Sequence, residues 1–317
     1  MIEGEDLELF ARSVRQAAEA QSGPALDAAL EAIGWEDALV DDRRAAVSTL
    51  FEVQGSANAT SSALDAVLLH ALGLRAQATA ILLPALGECR PPGALDGTHL
   101  TVAGVATAAM AGRATAVVVA ATEGKQAVIT VPTASLAVRD VRGIDPALGL
   151  VEVGGDLVAS GSEPVSGWDD AVALGQLALG HELVGASRRM LDLAREHALD
   201  RIQFGRPIAT FQAVRHRLAD TLVAVEMAEA MLDAAWLDGS PLTASMAKAV
   251  AGRSARTASR HCQQVLAGIG FTTEHPFHLS ARRVLVLDQL LGSSKVLTKR
   301  LGDELLRTRQ LPPLLPL

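Results

Sequence analysis

The spacing of the apolar residues changes twice along the chain, and this limits the folds that the chain can adopt. Up to about residue 75, apolar residues recur at helical spacing, as Leu7 and Phe10 do. From about 78 to 165 they form short β-branched runs separated by Gly, Pro and Asp, a pattern typical of strands. After Trp168 the helical spacing returns. The sequence therefore predicts an α+β protein whose parts follow in the order α, β, α.

Three domains are expected, because 317 residues are too many for one ordinary core. The predicted division is a helical domain over 1–76, a small β-barrel or sandwich over 77–165, and a four-helix bundle over 166–317. The last helix of the bundle is predicted at about 284–308.

Composition and charge exclude several classes of protein. A net charge of −8 and 3% aromatic residues leave neither the basic surface nor the aromatic platforms that nucleic-acid binding requires. Cys89 and Cys262 lie far apart without further ligands at metal spacing, so neither a disulfide framework nor a metal site is expected. No apolar run approaches the ~20 residues of a membrane-spanning helix, and Met1 to Leu9 lacks the features of a signal peptide. We therefore expect a cytoplasmic protein without a membrane partner.

The connection between the first two bundle helices carries a distinctive set of side chains. Gly205 and Pro207 favour a turn there, with Arg201, Phe204 and Gln212 close by. An Arg binds phosphate through paired hydrogen bonds and a Phe packs against a flat ring, so the set suits a diphosphate-bearing ligand. On local chemistry alone, the alternative is a plain helix hairpin whose Phe lies in the core and whose basic residues are solvated.

A basic series follows this turn. Arg215, His216 and Arg217 fan out over different faces of a helix, so we expect them to be solvated or to face another subunit rather than to bind phosphate.

The turn segment resembles the acyl-CoA dehydrogenase family, whose carboxy-terminal bundle contains an Arg-x-x-Phe-Gly-x-x-Ile/Leu turn followed by Gln. The segment Gln264–Phe271 is similar to a second family motif, Gln-x-x-Gly-Gly-x-Gly-Phe/Tyr, with Ala267 in place of the first Gly. The resemblance covers most of the chain and implies the family's α, β, α architecture with a shortened amino-terminal helical part.

In that family each FAD is shared across a dimer, and the carboxy-terminal bundle of one subunit reaches the pyrophosphate and adenosine end of its neighbour's FAD. The resemblance implies five donated contacts in this chain: Arg201, Phe204, Gln212, Gln264 and Gly268.

The resemblance also indicates which chemistry the chain lacks. The family places its carboxylate base at one of two positions, which hold Leu291 and Gly175 here, and neither residue accepts a proton. The next position, where many relatives have an Arg for the CoA arm, is Gln176. The family's Thr-x-Gln becomes 293–295, Ser-Ser-Lys, and 83–89 lacks the family's flavin-binding stretch. We therefore expect no catalytic residue and no complete flavin or substrate site within this chain.

The function implied by the resemblance is that of a non-catalytic subunit in a heteromeric FAD-dependent acyl-CoA dehydrogenase. Its partner would be a full-length catalytic chain that binds most of the FAD and the acyl-CoA. Paired chains of this type resemble the actinobacterial α2β2 enzymes of steroid catabolism. Two alternatives remain open. One is a self-sufficient homo-oligomeric enzyme whose relocated base is another carboxylate such as Glu182, a residue we interpret instead as a polar helix-face residue. The other is a flavin-free scaffold or regulatory protein.

Overall fold

The amino-terminal part is helical, as its apolar spacing predicts. The computed structural model describes residues 4–74 and 79–309, with side chains from residue 7 onward. Asp42 begins the fourth helix by accepting a hydrogen bond from the amide of Ala45, at 3.0 Å. The helices of this part are α1 (Gly4–Ala20), α2 (Pro24–Ile33), α3 (Trp35–Asp41), α4 (Arg43–Ala57) and α5 (Ala63–Ala71).

One mixed sheet forms the middle of the chain. Its central order is β7-β8-β4-β3-β5-β6-β9, with β1 paired to β5 and β2 paired to β4. Side chains alternate between its faces: Val118 packs inside the sheet's own core, whereas Val117 and Val119 pack against the helices. The strands are β1 (Thr79–Ile81), β2 (Leu83–Pro84), β3 (Gly93–Asp96), β4 (His99–Ala106), β5 (Thr115–Thr122), β6 (Lys125–Pro132), β7 (Ala137–Asp140), β8 (Val151–Val158) and β9 (Glu163–Pro164).

The carboxy-terminal part is a bundle of long helices. Helices α6, α7, α8 and α9 pack together, and α10 packs on α8. Ser240 caps α8 through its hydroxyl, and Pro241 occupies the first turn. The helices are α6 (Trp168–Asp200), α7 (Gln212–Asp238), α8 (Pro241–Leu266), α9 (Phe277–Leu287) and α10 (Ser294–Thr308), and a short hairpin of β10 (Ile202–Gln203) and β11 (Arg206–Pro207) joins α6 to α7.

The predicted fourth bundle helix at about 284–308 is wrong, because the chain forms two helices there, α9 and α10. Leu291 and Gly292 have φ values of 52° and 96°, which no α-helix accommodates. Ser293 then caps α10. The helical spacing runs on through the break because the turn residues Leu290 and Leu291 are also buried in the core.

Glycines allow α4 to cross α6 at close range. A Cβ on Gly55 would lie 2.1 Å from the carbonyl oxygen of Glu182, and a Cβ on Gly185 would lie 2.0 Å from that of Glu52. Each helix therefore presents a glycine to the backbone of the other, and the amino-terminal helices dock directly on the bundle.

The predicted fold class, with its α, β, α order and carboxy-terminal bundle, is confirmed. The predicted boundary at 76/77 lies outside the described residues, and the one at 165/166 falls in the link between β9 and α6. None of the helices in the described ranges combines the length and apolarity needed to cross a membrane.

Candidate functional site

The α6–α7 connection is a two-residue hairpin. Ile202 pairs with Pro207 and Gln203 with Arg206, which leaves Phe204 and Gly205 as the turn. Both turn residues have positive φ, 52° and 77°, as a type I′ turn requires. The hairpin therefore projects Phe204 away from the bundle.

The aromatic ring at the tip of this hairpin faces solvent. Phe204 is 91% exposed, so the interpretation of this ring as a core residue is wrong. Its edge meets the ring of Phe211 at a centroid distance of 6.1 Å, and the guanidinium of Arg206 lies 4.5 Å from the centroid of Phe211. Arg201 and Gln212 are exposed on either side. The connection thus presents a guanidinium, a ring and a carboxamide outward.

The second motif, Gln264–Phe271, covers the last residues of α8 and the turn that follows it. Ala267 holds φ 51° and ψ −131°, a conformation that normally requires glycine. Gln264 and Gly268 are exposed, and both line a cavity of about 600 Å³ to which α7 contributes Arg217. Helix α7 therefore begins at the first motif and reaches the cavity beside the second. The role of the five residues of the two motifs in binding FAD remains a prediction.

Gly175 and Leu291, the two positions that the family resemblance assigns to a base, adjoin each other. A Cβ on Gly175 would lie 2.5 Å from Cδ1 of Leu291, 3.1 Å from Cδ2 of Leu68 and 3.6 Å from Cδ1 of Leu64. Leu291 is fully buried. A side chain at position 175 would therefore meet the side chains of Leu291, Leu68 and Leu64.

Gln176 connects this filled region to the neighbouring helix. Its amide nitrogen donates to the carbonyl oxygen of Leu291 at 2.9 Å, and its amide oxygen accepts from the hydroxyl of Ser245 at 2.9 Å. Beyond it a cavity of about 570 Å³ opens between α6, α8 and α10, with Arg253 and Arg300 among its lining residues. Gln176 is thus engaged within the protein and supplies no charge to this cavity.

The segment Leu83–Cys89 packs straight onto the turn between α9 and α10. The amide of Gly87 donates to the carbonyl oxygen of Gln289 at 2.8 Å, and the amide of Ser293 donates to that of Gly87 at 3.4 Å. The connection between β2 and β3 is thus in direct backbone contact with the turn between α9 and α10.

A buried polar network that the sequence did not reveal fixes the same turn. Lys248, on the inward face of α8, donates to the carbonyl oxygens of Asp288 and Gly292 at 3.1 and 3.3 Å. The Asp288 carboxylate accepts from Arg256 and from the amide of Ser294. Burial lowers the pKa of Lys248 to about 8, and the nearby Asp288 opposes this shift. A lysine within the apolar stripe of α8 was the available signal.

Glu182 is not a polar helix-face residue, which corrects the interpretation made from sequence. It is buried where α4 crosses α6, and its Oε1 lies 3.7 Å from Nη1 of Arg283. Arg283 is fully buried, pairs with Asp145 and donates to the carbonyl oxygen of Ala59 at 2.7 Å. Burial raises the pKa of Glu182 to about 7, opposed by the charge of Arg283. The carboxyl is enclosed by protein rather than open to a substrate.

Cys89 and Cys262 are both buried free cysteines, and burial raises the pKa of Cys262 to about 12. Among residues 4–74 and 79–309, no group of three His, Cys, Asp or Glu side chains is arranged to hold a metal ion.

Known proteins match the carboxy-terminal part in sequence. Residues 169–306 match the family model "Acyl-CoA dehydrogenase, C-terminal domain". Acyl-CoA dehydrogenase IpdE2 of Mycobacterium tuberculosis is 39% identical over 126 residues, which cover 40% of each chain. IpdE2 of Mycolicibacterium smegmatis is 34% identical over 148 residues, covering 46% of this chain and 48% of the relative. The matched stretch thus spans less than half of either relative.

Solved structures match nearly the whole chain in fold. The G363A variant of the Tcur3481-Tcur3483 steroid ACAD has a TM-score of 0.81 at 20% identity, covering 96% of this chain and 99% of the other. The ChsE4-ChsE5 complex from Mycobacterium tuberculosis has a TM-score of 0.72 at 22% identity, covering 97% and 89%. The resemblance seen in the sequence is thereby confirmed: residues 169–306 are an acyl-CoA dehydrogenase C-terminal domain, in a chain with the acyl-CoA dehydrogenase fold.

Proposed function

We propose that this chain is a non-catalytic subunit of a heteromeric FAD-dependent acyl-CoA dehydrogenase. It completes the FAD site of a full-length catalytic partner, which binds most of the acyl-CoA. The observation that carries the proposal is the contact between Leu291 and Gly175: both positions available for a base are apolar, and leucines fill the space around them.

The surface that this chain would contribute to the partner's FAD site fits the cofactor. Arg201, Phe204 and Gln212 are exposed, and no atom lies within 4 Å of a Cβ built on Gly268, so a ligand has room to approach that backbone. Arg201 would bind phosphate oxygens, and Phe204 would cover a flat ring.

A flavin ring does not fit within this chain at Leu83–Cys89, the segment that packs on the turn between α9 and α10. Direct hydrogen bonds join Gly87 to Gln289 and Ser293 there, and a Cβ on Gly292 would lie 3.3 Å from the Cβ of Cys89. This close packing supports a chain that shares its partner's FAD rather than holding one of its own.

The reaction assigned to the complex is α,β-desaturation of an acyl-CoA thioester. When bound, FAD supplies the acceptor for the hydride that leaves the β-carbon. The contribution of this chain is to hold the diphosphate end of the cofactor through Arg201, Gln212 and Gln264. Because similar folds include a steroid ACAD and a two-component complex, we propose a bulky, steroid-derived acyl group as substrate.

A self-sufficient enzyme with Glu182 as base is disfavoured. Glu182 lies buried at the α4–α6 crossing beside Arg283, and proton abstraction requires a base within hydrogen-bonding reach of the substrate.

Flavin absorbance of the purified chain, alone and co-expressed with a full-length acyl-CoA dehydrogenase, tests the proposal. We expect a colourless chain and a yellow complex. Arg201→Ala should weaken FAD retention by about tenfold or more, because a charge-assisted hydrogen bond contributes about 1.5–3 kcal/mol. The matched control is Arg195→Ala, an exposed arginine near the end of α6, the helix that stops just before Arg201.

Either of two results would contradict this assignment. Flavin bound to the isolated chain would support the alternative, a self-sufficient enzyme. A complex without flavin would indicate the scaffold or regulatory alternative.

A further inference from the structure

Helix α7 lies at the surface of the bundle, yet apolar side chains occupy its outward face as well as its inward one. The inward face packs on α6 and α8 and carries Thr221, Val225, Ala228, Leu232 and Ala235. The outward face is exposed and carries residues that we name the α7 stripe: Ala219, Val223, Met227, Ala230 and Leu237. A surface helix normally has polar residues on its outward face. The α7 stripe therefore has the composition of a covered surface.

The larger side chains of the α7 stripe are open to solvent in the single chain. Val223 is 66% exposed, Met227 49% and Leu237 71%, and Leu222 at the edge of the stripe is 46% exposed. Among the described residues, no other α-helix has more than one exposed large apolar side chain. Such residues are ordinary when they occur singly, whereas a contiguous row of them marks an interaction site. We therefore expect another protein surface to cover the α7 stripe.

The charged residues of α7 are sorted by the two ends of the helix. The first half carries Arg215 and Arg217 against one acidic residue, Asp220. Every charged residue of the second half is acidic, and these are Glu226, Glu229, Asp233 and Asp238. Arg44 and Arg188 from other helices form ion pairs with three of these four, so part of the negative charge remains. One end of the helix is thus basic and the other acidic.

This order of charge complements a second copy of itself. The dipole of a helix favours acidic residues at its amino end and basic residues at its carboxy end, so the order in α7 does not stabilise the isolated helix. In an antiparallel pair of α7 helices, the basic end of each lies beside the acidic end of the other. A two-fold axis perpendicular to α7 produces such a pair from two identical chains.

We infer that the α7 stripe is a contact between two copies of this chain, paired antiparallel about a two-fold axis between Val223 and Met227. Arg215 and Asp233 are 18 residues apart, which is five helical turns, so both lie on the same side of the stripe. Across the axis, Arg215 of one copy therefore comes close to Asp233 of the other. The contact rests on α7 and not on the proposed function.

Sedimentation equilibrium of the isolated chain tests whether this contact forms. We expect a dimer that weakens as salt screens the charged ends. Val223→Glu/Met227→Glu should weaken the dimer by about a hundredfold or more, because four like charges would meet at the axis. The matched control is Leu199→Glu, an exposed leucine of α6 outside the stripe, which should leave the dimer unchanged. Thermal unfolding of each variant confirms that it is folded.

Cysteine cross-linking tests the antiparallel direction. His216 and Ala234 are also five turns apart on the same face, a separation of about 27 Å along the helix. His216→Cys and Ala234→Cys should each give little cross-linking by a short bis-maleimide, whereas a mixture of the two variants should cross-link readily. The native cysteines are both buried and do not compete.

A monomeric chain, or a double glutamate variant that dimerises as tightly as the unmodified chain, would overturn the inference. Efficient cross-linking within each single-cysteine variant would overturn the antiparallel pairing. The proposed function fails in a different way. If the chain dimerises through the α7 stripe but its complex holds no FAD, the contact stands and the shared FAD site does not. If the chain is monomeric and its complex holds FAD that Arg201→Ala releases, the reverse is true.

Discussion

Leu291 and Ala267 are among the residues whose backbone adopts a conformation that the side chain disfavours. Leu291 has φ 52° and Ala267 has φ 51°, and a residue other than glycine in such a region costs about 1–3 kcal/mol. At Leu291 the conformation places an apolar side chain over Gly175, where the burial of the leucine offsets the cost. At Ala267 the side chain is exposed and nothing comparable offsets it.

Ala267→Gly is therefore expected to stabilise the protein. Relief of the strain exceeds the added entropy of the unfolded chain, so the free energy of unfolding should rise by about 1 kcal/mol. Urea denaturation measures it. The matched control is Ala230→Gly, an exposed position inside α7, where the same change should lower stability by about 1 kcal/mol. A loss of stability in both variants would show that Ala267 is not strained.

At the scale of elements, one helix crossing joins the amino-terminal helices to the bundle. Gly55 on α4 and Gly185 on α6 each face a backbone carbonyl of the other helix. A Cβ built on either glycine would lie about 2 Å from that carbonyl oxygen. Backbone atoms cannot rotate away as a side chain does, so any larger residue must separate the helices.

Gly185→Ala is expected to lower the free energy of unfolding by about 3 kcal/mol or more, because the new methyl group would overlap the carbonyl of Glu52. The control is Gly302→Ala in α10, where nothing lies within 4 Å of the Cβ and the better helix propensity should add up to about 1 kcal/mol. Thermal and urea unfolding compare the two. Equal changes in the free energy of unfolding for both variants would mean that α4 and α6 lie farther apart at the crossing than in the structure.

At the scale of the whole molecule, one buried ionic cluster connects all three parts of the chain. Arg283 of α9 contacts Asp145 in the β7–β8 connection, Glu182 of α6 and the chain just after α4 at Ala59. Two carboxylates share one guanidinium, and Oε1 of Glu182 has no hydrogen-bond partner. A proton on Glu182 balances the charge of the cluster.

This cluster predicts a dependence of stability on pH. The pKa of Glu182 is raised from 4.5 in the unfolded chain to about 7 by burial. The native state therefore keeps a proton that the unfolded state releases, and the free energy of unfolding falls as pH rises from about 4.5 to about 7. Asp65, buried beside Thr107 with its pKa raised to about 7, acts in the same direction. Burial lowers the pKa of His181 to about 4, which acts in the opposite direction.

Comparing the unmodified chain with Glu182→Gln isolates the contribution of Glu182. The variant should lose up to about 1.4 kcal/mol per pH unit of the downward slope between pH 4.5 and 7. Urea denaturation across this range measures the slopes. Parallel profiles for the two proteins would show that Glu182 is ionised throughout.

Much of the fold was accessible from sequence because it depends on local periodicity. The β-branched run in β5 and the long apolar stripe of α6 each specify their own secondary structure whatever packs on them. The break between α9 and α10 was not accessible in this way. Leu290 and Leu291 continue the apolar spacing of α9, and the positive φ of Leu291 and Gly292 is what ends the helix there.

The sequence by itself determined the order of the elements, the resemblance to the acyl-CoA dehydrogenase family and the residue types at the two positions that the resemblance assigns to a base. These follow from residue identity and spacing. Only the tertiary structure decided that Gly175 and Leu291 adjoin and that Glu182 is buried with Arg283. Each of these depends on which helix faces which neighbour, and the packing of separate helices is not encoded in the pattern of any one of them.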